Sequence, residues 1–560
     1  MRKTLFALAA ALLASSASAD RLVTNVNGVQ VGSDGRIQHF RALVITDDGR
    51  VRQTIEHPEL FKLAGITETV DGGGRTLLPG LIDAHGHVMG LGFSALQLDL
   101  VGSRSLEDLK QRLSAYAAAN PDAPWIIGRG WNQELWPDKR FPTAADLDSV
   151  ASDRPVVLER VDGHATVVNS AALKAAGVTA ATRDPVGGKL ERDARGNPTG
   201  LLIDAAADLV GKKIPEPTAA QRDAALAKAQ ELLLASGLTA VADMGTSLAE
   251  WTAMQRAGTS GRLKMRILSY ATGPEMVAAG HATPRPTPWR FDDRLQQRGV
   301  KFYADGALGS RGAWLKQPYA DKQDTRGLQF LTDAELRRQA GAAAANGYQL
   351  AIHAIGDAAN AQVISAYEEL ARKYGADRRW RIEHFQVADP QDIPRLAKTG
   401  IIASMQPTHQ TSDRLMAEKR LGPNRLTGAY AWQSVLKSGA RLAFGSDFPV
   451  ESPNPFPGLA AAITRQDMEG QPPGGWIPAE RLSFPQALDA FTRAAAYAGF
   501  AEDRIGSLEP GKWADFIIID RDPTKVDAQS LARTQVLETW VAGKKAWARA
   551  ASAAPTERGK

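Results

Sequence analysis

The sequence predicts an α/β protein: a parallel (β/α)8 barrel, the TIM-barrel architecture, with a small composite β-sandwich built from both termini. Three observations predict it. Through the middle of the chain, short apolar runs alternate with helical stretches, the mark of strand–helix–strand units and a parallel sheet. Both ends read instead as short strands split by polar turns. Histidines and carboxylates gather where the apolar runs of the middle stop, which is the barrel end where active sites form.

The chain has 560 residues, 44% hydrophobic and 23% charged, with no cysteine. That suits one large barrel plus a smaller domain. Residues 1–19 read as a signal peptide. Arg2 and Lys3 precede the apolar run "TLFALAAALLASS", and "ASA" precedes Asp20, the pattern of an A-x-A cleavage site after Ala19. The run is short for a membrane span and no basic stop-transfer follows. The expected destination is the periplasm or the medium, with no stable membrane association after cleavage. Loss of Arg2 and Lys3 takes the net charge from +5 to +3. No Lys/Arg stripe with interleaved aromatics occurs, so nucleic-acid binding has no support. Without cysteine there are no disulfides, thiolate metal sites or cysteine nucleophiles; a metal site must draw on His, Asp, Glu or a modified Lys.

Residues 20–78 and 500–550 are expected to form the sandwich, with turns at Asn-Gly, Asp-Asp-Gly and Gly-Gly-Gly. Residues 79–499 are expected to form the barrel. Ten apolar runs fall there, two more than eight strands need, so some belong to an insertion. The expected insertion spans about residues 155–215, where "GGKLERDARGNPTGLLID" reads as a hairpin around Arg195-Gly196-Asn197-Pro198.

The chemistry lies at the ends of those runs. His85 and His87 end "LLPGLIDAHGH"; His164, His353, His384 and His409 end or follow later runs, and Asp447 ends "RLAFGS". Six of nine histidines thus fall at expected strand ends. His-x-His on a strand puts both imidazoles on one face, as one metal ion requires. Lys301 lies inside "GVKFYADG", alternating with Val300 and Phe302. A lysine there is costly unless paired or modified. Two readings stand: an amine paired with a carboxylate such as Asp305, or a lysine carboxylated by carbon dioxide whose carbamate could bridge two metals.

These residues resemble the amidohydrolase superfamily, specifically its YtcJ-like, amidohydrolase-3 branch. The resemblance spans nearly the whole mature chain and rests on "LLPGLIDAHGH", "RVDGHATVVNSAAL", "GGKLERDARGNPTGLL", "VKFYADGALGSRGAWL", "AIHAIGDAAN", "RIEHFQ", "FGSDFPV" and "IGSLEPGKWADFIIID". It implies a metal-dependent hydrolase that cleaves a non-peptide carbon–nitrogen bond of a small amide-type molecule with a metal-activated hydroxide. By the same resemblance His85 and His87 bind the more buried metal with Asp447 nearby, and His353 and His384 bind the second. Lys301 stands where relatives have a bridging carboxylated lysine, and Asp447 acts as general acid/base. One or two divalent ions are implied; zinc suits these ligands, and manganese, iron, cobalt or nickel would also fit. His164 and His409 read as substrate-binding or packing residues, and Asp305 as a further substrate-binding candidate. Arg311 reads as a clamp on a substrate carboxylate or a loop-anchoring salt bridge, and Trp131 as a pocket wall or plain core. A homo-oligomer is compatible with the sequence.

Other signals fail on context. Gly90–Ala95 fits G-x-G-x-x-A but lacks the surrounding dinucleotide unit, and Gly506–Lys512 mimics a phosphate loop with Trp513 where Ser or Thr is needed. No G-x-S-x-G elbow occurs. Two competing readings remain: an isomerase or lyase on the same metal site, and a non-catalytic periplasmic binding or regulatory protein. The second is disfavoured because no expected metal position is lost.

Overall fold

The computed structural model describes residues 19–60, 63–160, 163, 165–185, 188–273, 285–375 and 377–550. The expected signal peptide, apart from its last residue, lies outside them. Eight strands form one parallel sheet with neighbours in chain order: β1 (Leu81–Gly86), β2 (Leu238–Thr246), β3 (Arg266–Thr272), β4 (Leu295–Tyr303), β5 (Gln349–Ala354), β6 (Arg381–His384), β7 (Ile402–Met405) and β8 (Arg441–Phe444). β1, β6 and β7 are buried at every residue, as strands covered on both faces must be.

The sheet curls into a nearly closed barrel, and the residues after β8 fasten it to β1. The Asp447 N–H donates to the His85 carbonyl at 2.7 Å. The Ser446 hydroxyl and N–H both donate to the Asp83 carboxylate, at 2.7 Å and 3.1 Å. A Cβ on Gly445 would fall 2.4 Å from Asp83 Oδ1, so only glycine lets the two strand ends approach this closely. The barrel's buried cluster is rich in alanine, including Ala84, Ala240, Ala242, Ala351 and Ala443. These small side chains leave room for the wholly buried Arg381, which donates to the Ala84 carbonyl, to Ser404 Oγ at 2.8 Å and to Tyr270 Oη at 3.3 Å.

The sandwich joins both ends of the chain. One sheet orders Val51–Ile55, Ala42–Ile45, Asp20–Thr24 and Ile66–Asp71; the other orders Lys544–Ala548, Val536–Val541, Phe516–Ile519, Thr76–Pro79, Asn27–Val31 and Ile37–Phe40. Val23, Phe40, Leu43, Leu77, Phe516 and Ile518 share its core. A buried ion pair links barrel to sandwich: Arg266, the first residue of β3, donates to both Asp515 oxygens at 2.6 and 2.9 Å.

A second compact unit comprises His87–Gln230 and Ala249–Ala257. Its six-stranded sheet runs Gly188–Arg192, Pro198–Asp204, Ala165–Val168, Val156–Arg160, Ile126–Trp131 and Leu98–Asp99. The hairpin expected around Arg195-Gly196-Asn197-Pro198 is there. The inserted unit, however, is much larger than residues 155–215. Ile126–Trp131 and Val156–Arg160 pair in parallel, so their apolar runs read like successive barrel strands although they belong to a separate sheet. Among the described residues, no helix is long and apolar enough to cross a membrane.

Candidate metal centre

β1 delivers His85 to the end of the barrel. Its extended alternation sends Asp83 and His85 to one side, and Gly86 follows because a Cβ there would lie 2.2 Å from the Phe448 ring. Glycine between the two histidines is therefore a packing requirement. β6 and the turn after β8 place the other residues by an unusual backbone. His384 has φ 75° and Asp447 has φ 61°, left-handed conformations that cost about 1–3 kcal/mol each and concentrate at functional sites. Continued β alternation would send adjacent Glu383 and His384 to opposite faces; the left-handed turn brings both toward His85.

His85, His384 and Asp447, all buried, present ligand atoms within 4.8 Å of one another. His85 Nε2 lies 3.4 Å from Asp447 Oδ1 and 3.3 Å from Lys301 Nζ. The rings of His85 and His353 each lie 4.6 Å, centroid to centroid, from that of His384. His353 Nε2 is buried with no hydrogen-bond partner among the described residues, and lies 3.5 Å from Asp305 Oδ1. Imidazole nitrogens and a carboxylate converging in this way suit a divalent cation.

The outer contacts orient the inner ones. His85 Nδ1 meets the Glu383 carboxylate at 2.6 Å, and Glu383 accepts two hydrogen bonds from Arg381, at 2.8 and 3.0 Å. His384 Nδ1 meets Gln406 Oε1 at 2.9 Å. Both histidines thus donate Nδ1–H and present an unprotonated Nε2, which on His85 faces the Lys301 amine, the tautomer usual around a bound cation. Burial, reinforced by the Lys301 charge, pushes His85 down to about 4 and His353 to about 3. Burial holds His384 well below its ordinary value. All three rings are neutral near pH 7, as ligation requires. Burial also brings Lys301 down to about 8. Arg381 and His85 hold Glu383 at about 2 against its burial.

Several expectations need correction. Asp305 neither pairs with Lys301 nor is free for a substrate: its carboxylate accepts the N–H groups of Trp314, Ile355 and Gly356 at 2.8–2.9 Å, which ties the loops after β4 and β5 together. Arg311 is a loop anchor, donating to Asp321 at 3.1 and 3.0 Å. Trp131 walls no pocket; it is wholly buried in the core of the second unit, and its indole N–H donates to the Leu158 carbonyl at 2.8 Å. His409 sits past the end of β7, in the first turn of the helix Pro407–Leu421, with Nε2 3.8 Å from Asp447 Oδ2. His164 lies outside the described residues. His87 follows β1 directly and is the residue before the helix Val88–Leu96.

Glu383, Arg381, Gln406 and Asp83 were not anticipated from the sequence. The signal was present in "RIEH": Arg381 and Glu383 alternate on one face of a strand otherwise fit for a core, and two buried charges two residues apart call for a charged partner or a site.

The sequence profile of the Amidohydrolase family matches residues 68–546. The chain belongs to the amidohydrolase family. It is 35% identical over 546 residues to Protein LONG AFTER FAR-RED 3 of Arabidopsis thaliana, covering 94% of this chain and 91% of that one. It is 33% identical over 512 residues to YtcJ of Bacillus subtilis (89% and 94%), and 29% identical over 490 residues to the N-substituted formamide deformylase of Arthrobacter pascens (85% and 89%). The crystal structure of a metal-dependent hydrolase from Pyrococcus horikoshii superposes with a TM-score of 0.77 at 28% identity, covering 91% of this chain and 99% of that one. This amidohydrolase is a barrel hydrolase with a site fitted for a divalent metal.

Proposed function

We propose that this amidohydrolase cleaves the carbon–nitrogen bond of a small, non-peptide amide, and that N-substituted formamides are the first class to test. The convergence of His85, His384 and Asp447 beside Lys301 at the barrel end carries the reading. The formamide class comes from the similarity to a deformylase.

His85, His384 and Asp447 would hold the cation, with His87 and His353 as the further histidine ligands. Zinc is the proposed metal, because neutral imidazoles and a carboxylate suit it. Lys301 is proposed as a carbamate: its amine lies 3.3 Å from a ligand nitrogen, where a carboxylated side chain would present oxygens to metal instead of a repelling charge. A bound divalent cation supplies Lewis acidity and makes water nucleophilic at neutral pH. Asp447 takes a proton from the attacking water and returns it to the departing amine. Its backbone is tied to β1 by the Asp447 N–H to His85 bond and by the adjoining Ser446–Asp83 clasp. The mature chain is proposed to act outside the cytoplasm, on the strength of the A-x-A pattern before Asp20.

Hydrolysis of N-(4-nitrophenyl)formamide in ¹⁸O water tests the reaction class. Formate carrying one solvent oxygen, together with free nitroaniline, is the expected result. A product of unchanged composition, or one lacking solvent oxygen, would favour the isomerase or lyase chemistry instead.

A further inference from the structure

His85, His353, His384 and His409 gather at this end of the barrel, and the Nδ1 partners of three of them divide those three into two kinds. His85 and His384 face acceptors, the Glu383 carboxylate and the Gln406 carbonyl oxygen. His409 faces a donor: Gln386 Nε2 lies 3.1 Å from its Nδ1. The orientation of that amide is set independently. Gln386 Nε2 also lies 3.3 Å from Asp413 Oδ2, a carboxylate that accepts the Tyr430 hydroxyl at 2.7 Å. Both N–H groups of the amide are therefore committed, one to Asp413 and one to His409. A nitrogen that accepts a hydrogen bond carries no proton, so neutral His409 carries its proton on Nε2.

Nε2 points to the reaction side. It is buried, has no hydrogen-bond partner among the described residues, and lies 3.8 Å from Asp447 Oδ2, beyond hydrogen-bond distance. The His409 ring lies nearly parallel to that of His384, 6.0 Å and 18° away. A protonated Nε2 cannot ligate a metal, but it can donate to an oxygen that gains negative charge.

We propose that His409 is a substrate-binding catalytic residue whose Nε2–H donates to the carbonyl oxygen of the bound amide, and that Gln386, oriented by Asp413 and Tyr430, is the positioning residue that enforces this tautomer. The proposal rests on the hydrolytic reading above and adds a residue and a proton location to it. Such a donor strengthens its bond as charge develops on the oxygen, so its loss falls on turnover more than on binding.

The test uses the metal-loaded enzyme. His409→Ala is expected to keep the wild-type metal content and to lower kcat on N-(4-nitrophenyl)formamide by about 10²–10³-fold. His409→Gln, which restores an N–H near the same point, is expected to recover at least about 10-fold of that loss. In ¹⁵N-histidine-labelled wild type, the His409 ring is expected to show its proton on Nε2, and in Gln386→Met to show both tautomers. Loss of metal from His409→Ala would overturn the proposal, because His409 would then be a ligand. Unchanged kcat in that variant would overturn it too, as would a wild-type proton on Nδ1. If the wild type leaves the formamide intact, the substrate reading fails separately, and the ¹⁵N spectrum and metal content still decide whether His409 is donor or ligand.

Discussion

Asp447→Asn is expected to lose about 10²–10⁴-fold in turnover, the range of general acid–base catalysis, while keeping most of its metal. The substitution isolates the proton-transfer role because it spares the backbone. Asp447 sits at φ 61°, and asparagine tolerates the left-handed region as aspartate does. The N–H bond to the His85 carbonyl and the Ser446–Asp83 clasp involve no Asp447 side-chain atom. The amide oxygen of asparagine can still face a cation; what it cannot do near pH 7 is accept a proton. Metal analysis beside steady-state kinetics checks this. Near-normal turnover would remove Asp447 from the proton path, and complete loss of metal would show that its charge mainly serves binding.

His384→Ala is expected to do the opposite, emptying the site and taking turnover with the metal. The ring is buried against His85 and His353 and is oriented by Gln406. Removing a partner outside the ligand set typically costs 10–100-fold in metal affinity, so removing the ligand itself should cost more than about 100-fold. The vacated volume will also destabilise the fold, by about 2–5 kcal/mol for a large-to-small change. The remaining packing should hold the barrel: the Arg381–Glu383 pair and the clasp to β1 are untouched. Metal retained through desalting, with turnover near wild type, would exclude His384 from the ligand set.

The barrel and the sandwich were legible in the sequence because their signals are local: buried parallel strands read as apolar runs, and sandwich strands as short runs split by turns. The size of the inserted unit was not legible. Ile126–Trp131 and Val156–Arg160 pair in parallel in a second sheet, and periodicity does not tell which sheet a strand joins. In the site, residue types at strand ends pointed to His85, His384 and Asp447. The orienting residues depend on contacts across hundreds of positions, such as His85 with Glu383. Asp305 and Arg311 were placed near substrate because charged residues beside an active-site strand suggest it. Their hydrogen bonds to the loops instead, three from backbone N–H groups and two to Asp321, could not be seen without the turns that bring those loops together. The left-handed turns at His384 and Asp447 were hidden too: histidine and aspartate tolerate that region, but most of them do not adopt it, and only the contacts of the folded barrel select it here.

The central claim is that a divalent metal held at the end of this barrel is required for hydrolysis. The most direct measurement follows metal content and hydrolysis of N-(4-nitrophenyl)formamide together, through chelation and stepwise return of zinc. Activity is expected to vanish as metal leaves and to rise in proportion as it is restored, reaching its plateau at one or two ions per chain. Full activity in protein stripped of metal would contradict the account.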